Sequence, residues 1–405
     1  MIYKSFKTEL NPNNKQKTLF KQYSGTARFA YNWALALLQE DYKSEKKIKP
    51  SAITLHKILV SKKNDEFKWM KKISKWCPQN SLRNLETAYK KFFKKQNAFP
   101  KFKKKGQNES FTLDAPIIVK NNKIKLPKIG WVNLKEHDYI PEGKPKSATI
   151  SLKANRWFVS VSYEVKIEQK QYENKVVGVD LGIKHLAITS DGEIFESSNK
   201  LKNKEKQLKR LQRKLSRQQK DSNSRKRTKE KIAKVYFNIS NHRKVILHKT
   251  TSCLAKTKSN NKIVIEDLNV SGMLKNYRLA KAINNIGFYE FRRQLEYKCF
   301  WYGKELVVAD RFYPSSKLCS CCGNKKDDLT LADRTYSCYN CGSENDRDFN
   351  AAKNLELYTV RYTEINAGGD DKVHAKKLAG GRRRSQNQTK DLLVDFCKFW
   401  VPELS

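Results

Sequence analysis

Apolar and polar residues alternate over residues 1–10, with Ile2, Tyr3, Phe6 and Leu10 as the apolar members, and this predicts an edge strand. A helical period then takes over across residues 14–115, where Leu19, Phe20, Tyr23, Phe29, Trp33, Ala34 and Leu37 hold one stripe. Pro78 opens a further helix on which Leu82, Leu85, Tyr89 and Phe92 recur, with Arg83, Lys90, Lys91, Lys94 and Lys95 on its outer face. FPKFKKKG, residues 99–106, breaks that helix. Short strands parted by Gly, Asn and Pro follow over 109–168: FTLDAPIIV, NKIKLP, WVNLK, SATISLKA and WFVSVSYEV. They suit a small antiparallel barrel or sheet.

KVVGVDLGIKHLAITSDGEIFE (175–196) predicts a buried strand, a second strand and an Asp191-Gly192 turn. Leu201, Leu208, Leu211 and Leu215 give 199–258 a thin helical stripe, and the polar DSNSR (221–225) makes it a helical hairpin. NKIVIEDLNV (261–270) is another buried strand, 283–301 an amphipathic helix, KELVVA (304–309) a strand, and DRDFNAAKNLELY (346–358) a helix start. From Ala367 the chain is Gly-rich, polar and basic, and predicts a flexible tail in which Leu392 to Trp400 forms a docking helix. Strands and helices in this order predict an α/β multidomain fold.

Charge changes the picture. The 405 residues carry 84 Lys+Arg against 41 Asp+Glu, a formal net charge of +43, while 38% hydrophobic and 11% aromatic content suffices for packed cores. The mean hydropathy of −0.78 and the lack of a long apolar run exclude a spanning helix. MIYKSFKTEL has no apolar core of a secretory signal, so a cytoplasmic, nucleoid-associated location is expected. The excess charge is spread along the chain, and its self-repulsion is best offset by a polyanion. Nucleic acid is the partner this indicates, although an RNA-packaging or ribosome-associated protein would share the composition.

Nine cysteines divide into two groups. Cys77, Cys253, Cys299, Cys321 and Cys397 are scattered and read as reduced thiols. Cys319, Cys322, Cys338 and Cys341 form Cys-x2-Cys-x15-Cys-x2-Cys, two knuckles able to turn four sulfurs toward one point. Four thiolates leave no open position, so one structural Zn²⁺ is expected, with redox or iron–sulfur use as the alternatives.

Three acids stand out by what precedes them. Asp180 ends VVGVD, Glu266 ends IVIE, and Asp348 sits in DRDFNAA at a helix start. Carboxylates that finish apolar strands are held on rigid elements, and three of them can converge on divalent metal. Mg²⁺ favours a few carboxylates with water and phosphate oxygens, and a pair of ions suits phosphodiester cleavage. Each acid alone could equally be a turn or helix cap. Gly178 and Gly182 in GVDLG permit close backbone approach, and His185 reads as structural.

Basic segments supply candidate nucleic-acid contacts. Residues 200–249 hold 19 Lys/Arg and 3 Asp/Glu, which could wall a channel or simply be a solvated surface. In FPKFKKKG, Lys101, Lys103, Lys104 and Lys105 interleave with Phe99 and Phe102, a composition for backbone neutralisation and stacking if the rings are not core. Gln79 and Asn80, with Arg83 one turn on, could reach adenine edges or cap the helix. Ser315, Ser316 and Lys317 could touch phosphate or form a turn.

GTARFAYNWAL (25–35), QNSLRNLETAYKKFFKK (79–95), FPKFKKKG (99–106), VVGVDLGIKHLAITSDG (176–192), IVIEDLNVSGM (263–273), YPSSKLCSCCGNKK (313–326) and YSCYNCGSENDRDFNAAKNL (336–355) together resemble the TnpB family. These are transposon-encoded RNA-guided nucleases related to compact type V CRISPR effectors. The resemblance covers about residues 1–358 in colinear order. It implies a RuvC, ribonuclease-H-like domain with Asp180, Glu266 and Asp348 as ligands of two catalytic Mg²⁺; transposases of the Asp–Asp–Glu class end on Glu instead. It also implies a small wedge β-barrel (1–10 and 111–170) carrying an inserted helical recognition lobe (11–110). The RuvC part would run over 171–312 with the basic hairpin, resume over 346–366 after an inserted zinc ribbon at 313–345, and end in a tail at 367–405. A monomeric ribonucleoprotein is implied, in a prokaryotic cell, with a guide RNA from the element's end and double-stranded target DNA beside a short adjacent motif. Guided binding without cleavage, as a repressor or transposition accessory, and a guide-free zinc-ribbon binder remain the alternatives.

Overall fold

The computed structural model describes residues 2–43, 48–114, 116–166, 172–196, 201–257, 259–330 and 333–367, which resolve into two compact units, Met1–Lys166 and Ile167–Ser405. The tail beyond 367 and its expected docking helix lie outside the described residues.

The first unit joins one antiparallel sheet to a helical bundle. Its strands are β1 (Ile2–Asn11), β2 (Ser110–Asp114), β3 (Ile118–Lys120), β4 (Lys123–Leu126), β5 (Gly130–Leu134), β6 (Ser147–Lys153) and β7 (Arg156–Val165), in the order β2-β6-β7-β1-β5-β4-β3. Two expectations are corrected here. β1 is central and not an edge, pairing β7 over most of its length and β5 at Leu10 and Asn11. Alternation reports which face is covered, not what lies alongside. The barrel that the resemblance implies is an open sheet: among the described residues no ladder joins its end strands β2 and β3. FTLDAPIIV is accordingly two strands, which lie at opposite ends of the sheet. Their inward residues nevertheless share a core, with Leu113, Val119, Ile124, Val132, Ile150 and Val159 packed around Phe20 and Tyr23.

Those two rings come from α1 (Asn14–Lys43), whose second half packs into a separate helical core. There Ala34, Leu35 and Leu38 meet Leu55 and Leu59 of α2 (Ala52–Lys62), and Leu82 and Leu85 of α3 (Trp76–Phe93). The buried stripe of α1 runs through Ala27, Ala30, Tyr31, Ala34 and Leu38, while Phe29, Trp33 and Leu37 are only half-buried.

The second unit is an α/β layer structure. β8 (Glu173–Asp180), β11 (Asn260–Glu266) and β12 (Glu305–Ala309) run parallel, and β9 (His185–Thr189) and β10 (Ile194–Glu196) extend the sheet antiparallel, in the order β10-β9-β8-β11-β12. The hairpin is α4 (Leu201–Ser216) and α5 (Asn223–Ser252), with Ser222 accepting a hydrogen bond from the Arg225 amide as N-cap. Leu208 and Leu211 pack on Val235 and Ile239, as the thin stripe predicts. After the short α6 (Val270–Met273), the expected helix 283–301 is two, α7 (Tyr277–Ile286) and α8 (Phe288–Tyr302). A small hairpin, β13 (Thr335–Ser337) with β14 (Glu344–Asp346), runs straight into α9 (Arg347–Ala367).

Strand parity divides this sheet's two faces. Val177, Val179, Ile263 and Ile265 pack with Leu247, Phe291 and Leu295 of α5 and α8. Val264 instead meets Leu355 and Tyr358 of α9. Gly178 lies on that second face, where a Cβ would stand 2.0 Å from the Ala352 carbonyl oxygen and 2.4 Å from the Glu356 amide. Only the absence of a side chain lets α9 lie so close. No described helix is long and apolar enough to cross a membrane.

Candidate active site and cysteine centre

The same parity aims the acids. Asp180 is two residues beyond Gly178 and Glu266 two beyond Val264, so both carboxylates project toward the α9 face. β8 and β11 are in register with Val179 opposite Ile265, which puts the two acids at neighbouring strand ends. From Gly178 to Asp180 the strand advances about 6.6 Å, and from Ala352 back to Asp348 the helix advances about 6 Å. The glycine contact therefore delivers Asp348, in the first turn of α9, to the level of the strand ends.

The electrostatics record that convergence. Burial, then the charge of Glu266 and of Asp348, pushes the Asp180 carboxyl well above the ordinary carboxylate range, against a smaller opposing pull from Arg347. Burial also raises Glu266, whose carboxylate accepts a hydrogen bond from the Ser315 hydroxyl. Asp348 accepts from the Arg347 guanidinium at 3.3 Å, and Asp346 caps α9 by accepting from the Asp348 and Phe349 amides at 2.9 and 3.1 Å. Like charges held this close favour either a shared proton or a cation.

Sequence reasoning missed most of the supports. Asn350 and Asn354 are fully buried on α9. The Asn350 amide donates to the Leu318 carbonyl at 2.7 Å and accepts from the Ser320 amide at 2.9 Å; Asn354 donates to the Ser315 and Leu318 carbonyls at 2.8 and 2.7 Å. Ser315 is buried and turned onto Glu266, which removes it as a phosphate contact. Asp267, next to Glu266, is clamped by Arg292 at 2.7 Å and by two nitrogens of Arg311 at 2.6 and 3.1 Å. The one signal was asparagine twice at i, i+4 in a helix of otherwise apolar inward positions. His185 pairs with Glu196 at 3.0 Å across β9 and β10, a structural role.

The cysteines converge more tightly. The sulfurs of Cys319, Cys322, Cys338 and Cys341 lie within 4.8 Å of one another, the one such metal-capable set among the described residues. Both knuckles fold alike. The Cys319 amide donates to the Asn324 carbonyl and the Gly323 amide returns to the Cys319 carbonyl; Cys338, Ser343 and Gly342 repeat the pattern. Each turn closes on a left-handed residue, Gly323 at φ 78° and Gly342 at φ 69°, which is why Gly follows both Cys-x2-Cys pairs. The Ser343 hydroxyl helps bring the Cys341 thiol down to about 6, toward the thiolate a metal needs. Cys321 is exposed and outside the set.

The candidates at 79–83 and 99–106 lie in the first unit, and the basic hairpin lies in the second. The Asn80 amide donates to the Thr112 carbonyl at 3.3 Å, and Arg83 pairs with Asp114 at 3.0 Å, while Gln79 is half-buried beside them. In the 99–106 loop, Asn32 clamps the Lys103 backbone at 2.8 and 2.9 Å, and the Lys103 ammonium sits 4.0 Å over the Tyr31 ring. Lys101, Lys104 and Lys105 are exposed. Phe102 is exposed, and Phe99 packs edge-on against Tyr89 and Phe92 at 5.6 and 5.2 Å.

Comparison with known proteins shows the chain's family and fold. Residues 159–277 match the OrfB IS605 family, described as "Probable transposase", residues 288–355 match the Cas12f1-like TNB domain, and residues 1–47 match a helix-turn-helix domain of the OrfB IS605 type. An Escherichia coli K12 protein described as "Putative RNA-guided DNA endonuclease InsQ" is 34% identical over 369 residues, 87% of this chain and 91% of that protein. A Streptomyces pristinaespiralis protein with the same description is 34% identical over 359 residues, 87% and 89% of the two chains. The cryo-EM structure of a Cas12f1–sgRNA–target DNA complex shares the fold at a TM-score of 0.53 and 15% identity, covering 85% of this chain and 83% of the other. The chain belongs to the OrfB, or TnpB, family of IS605-type insertion sequences.

Proposed function

We propose that this protein is an RNA-guided DNA endonuclease of a transposable element, cutting DNA at Asp180, Glu266 and Asp348. The observation that carries this is the convergence of three acids from two strand ends and one helix start, with the Asp180 carboxyl pushed up by its two neighbours. Asp180, Glu266 and Asp348 would hold two Mg²⁺ ions, whose chemistry there would be activation of water and stabilisation of a leaving 3′ oxygen. The chain's own contribution is placement. Gly178 admits α9, Ser315 orients Glu266, and Arg347 restrains Asp348 until substrate arrives.

Cys319, Cys322, Cys338 and Cys341 would hold one Zn²⁺ as a structural ion. The ribbon then acts on the reaction indirectly, because Asn350 and Asn354 tie its base to the helix that carries Asp348. A guide RNA from the element's end would pair with one strand of duplex DNA, leaving the protein to hold backbone and A-form shape. The first unit, as wedge (1–10, 111–170) and recognition lobe (11–110), would read the adjacent motif through Gln79, Asn80 and Arg83, and hold phosphates through Lys101, Lys103, Lys104 and Lys105. The second would comprise RuvC parts at 171–312 and 346–366 around the ribbon at 313–345. An intact acidic trio favours cutting over guided binding alone.

The test is to express the protein with its element's ends, sequence the copurifying RNA, and offer a plasmid bearing the matching target with Mg²⁺. One RNA of defined end and cleavage beside a fixed motif are expected. Purification free of RNA, or no cutting of a matched target, would contradict the reading.

A further inference from the structure

The loop between β12 and Ser315 begins and ends at the acidic site. Ala309, at its start, is the register partner of Glu266 across the β11–β12 ladder. Ser315, at its end, donates its hydroxyl to the same Glu266 carboxylate. The five residues between them, Asp310 to Pro314, are thus tethered twice to one catalytic acid.

This loop is rigid. The Asp310 carboxylate accepts from the Phe312 amide at 2.9 Å, and the Tyr313 amide closes a turn on the Asp310 carbonyl at 3.1 Å. Tyr313 packs inward, its ring 4.8 Å from Tyr358 and its hydroxyl on the Asn354 carbonyl at 3.1 Å. Phe312 is left 86% exposed at the tip. A single exposed ring needs no explanation by itself. Here the preceding residue is Arg311, half-exposed, whose guanidinium is fixed in orientation by a two-nitrogen pairing with Asp267, the residue after Glu266. A pinned cation and a bare ring on a braced backbone, adjacent in sequence and beside a phosphodiester site, make the combination that grips a single strand: charge on the phosphate, ring against the base.

We propose that Arg311 and Phe312 form a stacking platform for single-stranded DNA at the RuvC site, with Phe312 holding a base next to the scissile phosphate and Arg311 a neighbouring phosphate. Asp267 and Arg292 are positioning residues that fix the Arg311 fork. A base pair presents no free face to one ring, so the platform favours strands already unpaired. This rests on the endonuclease reading above and names how its substrate strand is held.

The test uses the copurified ribonucleoprotein and target DNA carrying 2-aminopurine at successive positions around the cut. With wild type, the fluorescence of one position should be quenched on binding, and Phe312→Ala should abolish that quenching. Loss of one stacked base should slow single-turnover cleavage about 5- to 100-fold. Phe312→Tyr should restore the rate to within about threefold, while Phe312→Leu, apolar but unable to stack, should not. Tyr289→Ala, which removes another exposed ring from α8, should cut like wild type. Cutting by Phe312→Ala within twofold of wild type, or full rescue by Phe312→Leu, would overturn the platform while leaving the endonuclease intact. Wild type that fails to cut would sink the endonuclease reading instead.

Discussion

The two polar centres of the second unit are built on opposite principles. The four cysteines come from residues 319–341, gather through two local knuckles, and sit with their sulfurs within 4.8 Å of one another. The three acids span 168 positions of the chain; strand register pairs Asp180 with Glu266, and the packing of α9 on the sheet adds Asp348. The cysteine centre gathers four soft ligands, and hydrogen bonds from Ser343 favour thiolate at Cys319 and Cys341. In the acidic centre burial opposes ionisation of Asp180 and Glu266, and at Asp180 the neighbouring carboxylates add to it. Closed ligand sets suit structure, whereas strained and incomplete ones suit reaction, because substrate or metal relieves what the fold imposes.

Mutations can break this contrast at either end. Cys338→Ser, which opens the cage, should destabilise the ribbon by more than about 4 kcal/mol, as loss of a structural metal does. Zinc per chain and protease resistance of residues 313–345 would report it, and cleavage should fall with them through Asn350 and Asn354. Gly178→Val places a side chain into α9 and should cost about 3 kcal/mol by chemical denaturation, with cleavage lost even though all three acids remain. Ser315→Ala leaves both centres assembled but frees Glu266, and a drop of about 10- to 100-fold in single-turnover cleavage is expected with little change in melting.

The smallest effect has the opposite sign. Asp180 and Glu266 hold protons in the folded state that the unfolded chain has already released. Folding therefore binds protons across the window above the ordinary carboxylate range, and the stability of metal-free protein falls as pH rises through it. Below the unfolded value the penalty is absent; above the folded value it is complete. Asp180→Asn should remove much of it, gaining about 0.5–2 kcal/mol at neutral pH in EDTA and flattening the decline. Melting curves of both proteins across that window would show the gap closing at acid pH.

Legibility followed the same divide. The cysteine spacing and its trailing glycines are local geometry, so the sequence carries them openly. Asp180 and Glu266 were readable because each ends an apolar run, and Gly178 because a glycine inside such a run marks a close neighbour. Which neighbour could not be read: α9 lies 174 residues further on at Ala352. Ser315, Asn350 and Asn354 were opaque for the same reason, since a polar side chain satisfied by a distant carbonyl looks like any surface residue. The sheet of the first unit failed differently. Alternation in residues 1–10 was correct, but lateral pairing and closure depend on strands more than 100 residues away, so the pattern marks a central strand as an edge and suits barrel and open sheet alike.

In the proposed reaction the three acids do the cutting and nothing else that the complex needs. Asp180→Asn keeps the shape of the site and removes one charge. Target binding and single-turnover cleavage should therefore be measured on the same ribonucleoprotein samples, variant against wild type. Unchanged target affinity is expected, with cleavage reduced at least about 1000-fold. Equal cutting by both proteins would contradict it.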